Sequence, residues 1–311
     1  MPRVTVIIAT FNWSSVLETS IPSVLAQTFT DFELLVVGDG CVDNSEAVVE
    51  AFAARDGRVR WVNLPENMGQ AAWPNNEGIR LARGEFIAYL GHDDLWLPHH
   101  LEVAVAALDA GADLTYSIAD SVGPDGHHFP TPKTPAYTPG MWIAPTTVVH
   151  RRAALDTAGG WPDFRTLPWD VDPEADLWRR VFAAGHRVVL VPRLTAVKLA
   201  ASDRKDVYRT RPNHEQRAWG ARIRTEPDLE PRLLAEMLLA LAARPDPPSP
   251  RRSVAARARE QLRGLRMWVR AGGPFRAAPP AGPRGHEIQR RRVYKGLAPL
   301  PETPPPASTL A

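Results

Sequence analysis

Four apolar runs, each followed at short distance by a helical pattern, constrain this chain more than any other feature. Val4-Thr5-Val6-Ile7-Ile8-Ala9 is β-branched and almost wholly apolar, the pattern of a strand covered on both faces. Ser14 or Ser15 then starts a helix to about Gln27, with Val16, Leu17, Ile21, Val24 and Leu25 on one side. The cycle repeats with a strand at Phe32–Val37 and a helix capped by Asp43 or Ser45. It repeats again with a strand at Val59–Asn63 and a helix over about Gln70–Arg83, then with a strand at Glu85–Leu90 and a helix from about Pro98 to Ala110. Leu114–Ile118 makes a fifth strand. Strands alternating with helices through short connections predict an α/β fold, a mostly parallel sheet flanked by helices.

Ligands in such sheets bind beyond the carboxyl ends of the strands. Three polar clusters fall there: Thr10-Phe11-Asn12, Gly38-Asp39-Gly40 and His92-Asp93-Asp94. Several common chemistries are excluded. The first strand ends in Ala-Thr-Phe-Asn rather than a glycine-rich dinucleotide loop, and the chain has neither a P-loop nor a G-x-S-x-G nucleophile elbow. The glycine-rich opening of sugar nucleotidyltransferases is missing too. Asp93 and Asp94 remain, adjacent carboxylates at a strand end. They are hard oxygen ligands suited to Mg²⁺ or Mn²⁺ carrying a diphosphate, or equally acids favoured in the first turn of a helix.

Three stretches carry a specific resemblance. VTVIIATFN (4–12), SVLAQTFTDFELLVVGDGCVDNS (23–45) and GIRLARGEFIAYLGHDDLWLP (78–98) closely resemble the family-2 glycosyltransferases of the GT-A fold, over about residues 3–200. The resemblance implies inverting transfer of a sugar from a nucleotide-sugar donor, UDP-linked in the first instance, with Mg²⁺ or Mn²⁺ as cofactor. It assigns Thr10, Phe11 and Asp39 to the nucleotide's base and ribose. Asn76 and Gly78 match the end of a further donor-side segment, in which Asn75 replaces the family's Arg. Asp93 and Asp94 match the metal motif, with Asp94 as the direct ligand, Asp93 also near the donor, and His92 a variable residue or third ligand. Gly91 stands where many relatives have Asp.

The catalytic base of the family lies at a helix start after a Gly-Gly-aromatic motif. Here Gly159-Gly160-Trp161 is followed by Asp172-Pro173-Glu174-Ala175-Asp176-Leu177-Trp178. Alignment on Asp176-Leu177-Trp178 puts Glu174 at the base position, with Asp172 in reserve and Asp176 structural. Asp120–Gly140 resembles the fold's variable acceptor-side loop; His127 and His128 within it, and His150 beyond it, are candidate contacts to acceptor or phosphate. Trp142–His150 is read as a strand or loop beside the site, and Arg151–Leu155 as a helix.

The single cysteine, Cys41, excludes an internal disulfide and a cysteine-based zinc site. No apolar run reaches the roughly 18 residues of a membrane span, so a cytoplasmic location is expected, possible peripheral membrane contact included. Residues 1–202 hold 15 Lys/Arg against 24 Asp/Glu, a net of −9, and residues 203–311 hold 22 against 11, a net of +11. Three sections follow: a donor-binding and catalytic domain over 1–202, a basic helical extension over 203–270, and a Pro/Gly/Ala-rich tail over 271–311 expected to be largely disordered. In the extension, Leu229–Ala243 should be a helix with Leu233, Leu234, Met237, Leu238 and Leu241 on one side. A second helix over about 249–270 places Arg259, Arg263, Arg266 and Arg270 on one face, either solvated or lying on an anionic membrane. Arg290-Arg291-Arg292 is too short a run to indicate nucleic acid. The acceptor, whether glycan, lipid-linked or a small molecule, is not written in these motifs. A non-catalytic nucleotide-sugar-binding scaffold and a nucleotidyltransferase are the alternatives.

Overall fold

The computed structural model describes residues 1–132, 136–167, 171–199, 204–242 and 292–297. Its first half follows the expected alternation: β1 (Val4–Thr10), α1 (Ser14–Leu25), β2 (Phe32–Gly38), α2 (Ser45–Ala53), β3 (Val59–Asn63), α3 (Ala72–Leu81) and β4 (Phe86–Tyr89). These strands lie in the order β3-β2-β1-β4, all parallel. The chain therefore moves to one side of β1 for β2 and to the other for β4, which opens a crevice at the carboxyl end of β1. Alternation within each strand feeds two cores. Val4, Val6 and Ile8 meet Leu17, Ile21 and Leu101 on one face, while Ile7, Leu35 and Ile87 meet Ala72, Leu177 and Trp178 on the other.

Beyond β4 the sheet is mixed. β5 (Leu95–Trp96), α4 (His100–Asp109), β6 (Leu114–Val122), β7 (His128–Thr131), a 3-10 turn (Pro145–Thr147), β8 (Val148–Arg151), α5 (Ala154–Ala158), α6 (Pro173–Ala183) and β9 (Val188–Leu199) follow. The order continues β4-β8-β6-β9-β5. β8 is antiparallel to both neighbours, β9 runs parallel to β6, and β5 pairs antiparallel with β9. Asp120–Gly140, expected as a loop, begins instead with the end of β6 and the hairpin strand β7. Two of the three candidate histidines have partners within the fold: His128 Nδ1 sits 2.7 Å from Asp120 Oδ2, and His150, fully buried on β8, meets the Tyr89 hydroxyl at 2.9 Å, while His127 is exposed.

The described part of the basic half shares the front domain's core. α7 (Val207–Thr210), α8 (His214–Thr225) and α9 (Leu229–Ala242) follow β9, and Trp219, Leu229, Leu233 and Met237 pack on Leu95, Leu194 and Val197. Leu238, expected on the buried side of α9, is 66% exposed, because the buried stripe runs through Leu229, Leu233 and Met237 at four-residue spacing. The expected helix over 249–270, the Arg290-Arg291 pair and most of the 271–311 tail lie outside the described residues. Among the described residues, no helix is long and apolar enough to cross a membrane.

Gly78 shows how closely the layers approach. A Cβ there would lie 2.7 Å from Cγ2 of Ile7, a fully buried β1 residue. Gly78→Ala should therefore cost about 1–3 kcal/mol by overpacking, read as a lower urea midpoint with an unchanged slope. A midpoint equal to the wild type's would show that α3 can move away freely.

Candidate active site

The loops after β1 and β2 are built as one unit. Asn12 adopts a left-handed φ of 45°, which aims its carbonyl Oδ1 at the backbone N–H groups of Val42 and Asp43, at 2.7 and 3.2 Å. The Asp43 carboxylate accepts from Ser45 N and Oγ and from Ser14 N, so one acid serves the starts of both α1 and α2. Asp39, 4% exposed, accepts from the N–H groups of Met68 and Gly69 at 2.9 Å each and from Asn67 Nδ2 at 3.0 Å. Gly40 between them is obligatory: its φ is +66°, and a Cβ would lie 2.4 Å from Asn67 N. Burial raises Asp39 to about 6, against the pull of those N–H groups and of Arg292.

The β4 end supplies the acid pair, and its two members differ. Asp94, 1% exposed, accepts from Leu199 N (3.0 Å) on Oδ1, and from Thr146 Oγ1 (2.7 Å) and Lys198 Nζ (3.2 Å) on Oδ2. Burial pushes it up and Lys198 pulls it back; Lys198 is itself held charged by Asp94 and Asp93 against its own burial. Asp93 instead lines a cavity of about 600 Å³. Neutral His92 is held between Thr10 Oγ1 (2.9 Å from Nδ1) and the Tyr208 hydroxyl (3.4 Å from Nε2), its pKa lowered to about 4 by burial.

The opposite wall is the start of α6. Asp172 caps the helix, its Oδ1 accepting from Glu174 N at 3.0 Å and Ala175 N at 3.1 Å. Glu174 lines the cavity beside it, and burial together with the Asp172 carboxyl raises Glu174 well above the usual carboxylate range. Asp172 thus anchors the first turn of α6, at the helix end that favours negative charge, while Glu174 stands beside it in the cavity.

The cavity thus brings together Thr10, Phe11, Asp39, Asp93, Asp94, Asp172 and Glu174. It does not include Asn76. That amide accepts from Trp161 N (2.8 Å) and donates to Trp161 O (3.0 Å), and Gly160 lacks the Cβ that would strike it at 2.5 Å. Asn76 therefore positions the Trp161 backbone instead of touching a donor, and its neighbour Asn75 is the one that lines the cavity. Asp94 lines the cavity too, but a cation there would share its oxygens with Leu199 N, Thr146 and Lys198. His92 is spent on Thr10 and Tyr208. A divalent cation bound by one carboxylate and substrate phosphates fits Asp93; among the described residues no group of three or more His, Cys, Asp or Glu could cage one. Lys198, Tyr208, Arg292 and Lys295 line the cavity unforeseen. The alternating run Val188–Leu199 could have revealed β9, but nothing local marks Lys198 as the partner of Asp94.

Comparisons with known proteins bear on the family and the fold. The family model described as glycosyl transferase family 2 matches residues 5–166, just over half of the chain. The poly(ribitol-phosphate) beta-N-acetylglucosaminyltransferase TarP of Staphylococcus aureus is 38% identical over 104 residues, 33% of this chain and 32% of its own. Among solved structures, residues 1–349 of S. aureus TarS with UDP-GlcNAc superpose with a TM-score of 0.53 at 19% identity, covering 76% of this chain and 72% of that one. The mannosyltransferase PcManGT of Pyrobaculum calidifontis, with GDP-Man and Mn²⁺, gives 0.53 at 19% identity over 86% and 83%. These likenesses establish the GT-A fold. The chain spans about a third of the length of the curated relatives it matches.

Removing the counter-ion of Asp94 should expose how much rests on it. Lys198→Met leaves a buried carboxylate unpaired and should lower stability by about 3–5 kcal/mol, with part of that loss recovered in Lys198→Met/Asp94→Asn. Urea unfolding at pH 7 reads both; equal losses in the single and double variants would mean that the pair is not coupled.

Proposed function

The chain belongs to glycosyl transferase family 2, and from that premise we propose that it moves a sugar from a nucleotide-sugar donor to an acceptor hydroxyl with inversion. The observation that carries the reading is one cavity with the Asp39 loop and Asp93 on one side and the Glu174 carboxyl at the start of α6 on the other. The nucleotide packs against Thr10 and Phe11, and Asp39 accepts from a base N–H. The diphosphate lies toward Asp93 and Lys198. Trp142, 38% exposed and lining the cavity, offers an apolar face on which an acceptor ring can rest.

In the reaction, ionised Glu174 takes the proton of the acceptor hydroxyl as that oxygen bonds to the donor's anomeric carbon. The bond from that carbon to the diphosphate oxygen breaks, and the nucleoside diphosphate leaves with the electron pair. Single displacement inverts the anomeric centre. Lys198 brings positive charge to the leaving side, where preorganised charge acts most strongly. A Mg²⁺ or Mn²⁺ bound at Asp93 would add electrophilic assistance to the same leaving group. The relatives' bound donors, UDP-GlcNAc in TarS and GDP-Man in PcManGT, make UDP and GDP the first nucleotides to test. The acceptor is a glycan, a lipid-linked sugar or a small hydroxyl compound, set by the wall around Trp142 and by residues beyond 203.

Glu174→Gln should lose transfer by about 10²–10⁴-fold while binding nucleoside diphosphate as the wild type does; turnover at the wild-type rate would remove Glu174 from the base role. The wild-type rate should also climb with pH beyond the ordinary carboxylate range, because Glu174 must first give up its proton. On the donor side, nucleotide affinity should fall as pH drops through about 6, where Asp39 becomes protonated and stops accepting. Calorimetry from pH 5 to 8 checks this, and Asp39→Asn should abolish the dependence.

A further inference from the structure

Segment 292–297 returns to the front domain across a long stretch of chain and closes one side of the donor cavity. Its backbone is fixed to the 206–208 turn: Asp206 N donates to Tyr294 O at 2.7 Å, and Tyr208 N donates to Lys295 O at 2.9 Å. Gly296, at φ +81°, lets the two backbones approach, since a Cβ there would lie 2.9 Å from that of Arg209. Arg292, 7% exposed, donates through Nη1 to Gly69 O at 2.9 Å, next to the loop that Asp39 holds. Lys295 lies with its ammonium 5.9 Å from the Tyr208 ring centroid, and its charge is felt at Asp93 and His92. Arg292, Lys295 and Leu297 all line the cavity.

The charge balance of that lining gives the segment a purpose. Among the described residues, the acids facing the cavity are Asp39, Asp93, Asp94, Asp172 and Glu174, and the cations are Lys198, Arg292 and Lys295. Lys198 is already committed to Asp94. Without 292–297 a diphosphate would meet Lys198 as the one cation among the described lining residues, and with it three. Two of the three cations therefore come from the last described segment of the chain.

We propose that residues 292–297 form a strap that completes the donor site, with Lys295 binding the diphosphate of a nucleoside diphosphate or nucleotide-sugar and Arg292 seating the strap against the base-side loop. This rests on the nucleotide-sugar reading above and adds residues to it that lie outside the matched 5–166 segment. The strap makes affinity for the diphosphate depend on the far end of the chain. It also leaves the nucleoside end of the ligand dependent on the Asp39 loop.

The test is calorimetry on the full chain with UDP, GDP, dTDP and CDP, and with the monophosphate of whichever base binds. Lys295→Met should weaken the diphosphate at least 10-fold and the monophosphate clearly less, shrinking the wild-type preference for the diphosphate. Lys295→Arg should restore most of that preference, which a variant acting only through lost structure would not do. Binding of none of the four diphosphates by the wild type would overturn the nucleotide-sugar reading and the strap with it. Tight wild-type binding that Lys295→Met changes by less than twofold would overturn the strap alone. Equal weakening of mono- and diphosphate would likewise remove Lys295 from the diphosphate.

Discussion

The site hangs on one buried carboxylate. Asp94 receives a hydroxyl from Thr146, an ammonium from Lys198 and an N–H from Leu199. Those donors come from the turn before β8 and from the end of β9, so the loop after β4 is fixed to two strands that join the sheet much later in the chain. A buried charge with three donors and a counter-ion is tolerable, whereas the same charge with one partner removed is among the costlier defects a core can carry. Asp94 thus determines where the β4 loop lies, and through it where Asp93 and His92 point. His92 in turn ties Tyr208 to Thr10, and the strap rests on Tyr208.

The two acid pairs follow one rule. All four carboxylates line the cavity, but in each pair one of them also holds the fold together. Asp94 is spent on Lys198, Thr146 and Leu199, leaving Asp93 toward the space where phosphates fit. Asp172 is spent on the first N–H groups of α6, with Glu174 beside it in the cavity. Adjacent carboxylates could not both be ionised and idle in so enclosed a space.

The sequence read alone conveys the parallel half of the fold well, because β1, β2 and β4 are buried over nearly their whole length and are mostly apolar. It also conveys the acids: Asp39, Asp93, Asp172 and Glu174 all reach the cavity. It gives less where a residue's task is set by a distant partner. Asn76 matches a donor-side motif, yet its amide is taken up by Trp161, 85 residues away. That Asp94 is paired with Lys198 from β9 cannot be read from either residue's neighbours in the chain. β5, only two residues long, has no periodicity to read and exists because β9 runs beside it. Lys295 and Arg292 stand in a stretch whose composition suggests disorder, and only their packing on Tyr208 and Gly69 shows that they belong to the cavity.

The order of strands in the sheet differs from the order in which a ribosome makes them, and this bears on how the chain is built. β8 lies between β4 and β6 although it is synthesised after both. Between the end of β4 at Tyr89 and the start of β8 at Val148, nascent β4 presents an unpaired edge, for roughly 3–12 s at about 5–20 residues per second. β6 waits beside it with its own edge open and cannot simply pair with β4 without shutting β8 out. An open, apolar strand edge is a template for pairing with other chains. Slow translation through residues 90–148, or substitutions that delay β8, should therefore show first as aggregation during synthesis, in protein whose finished fold is sound.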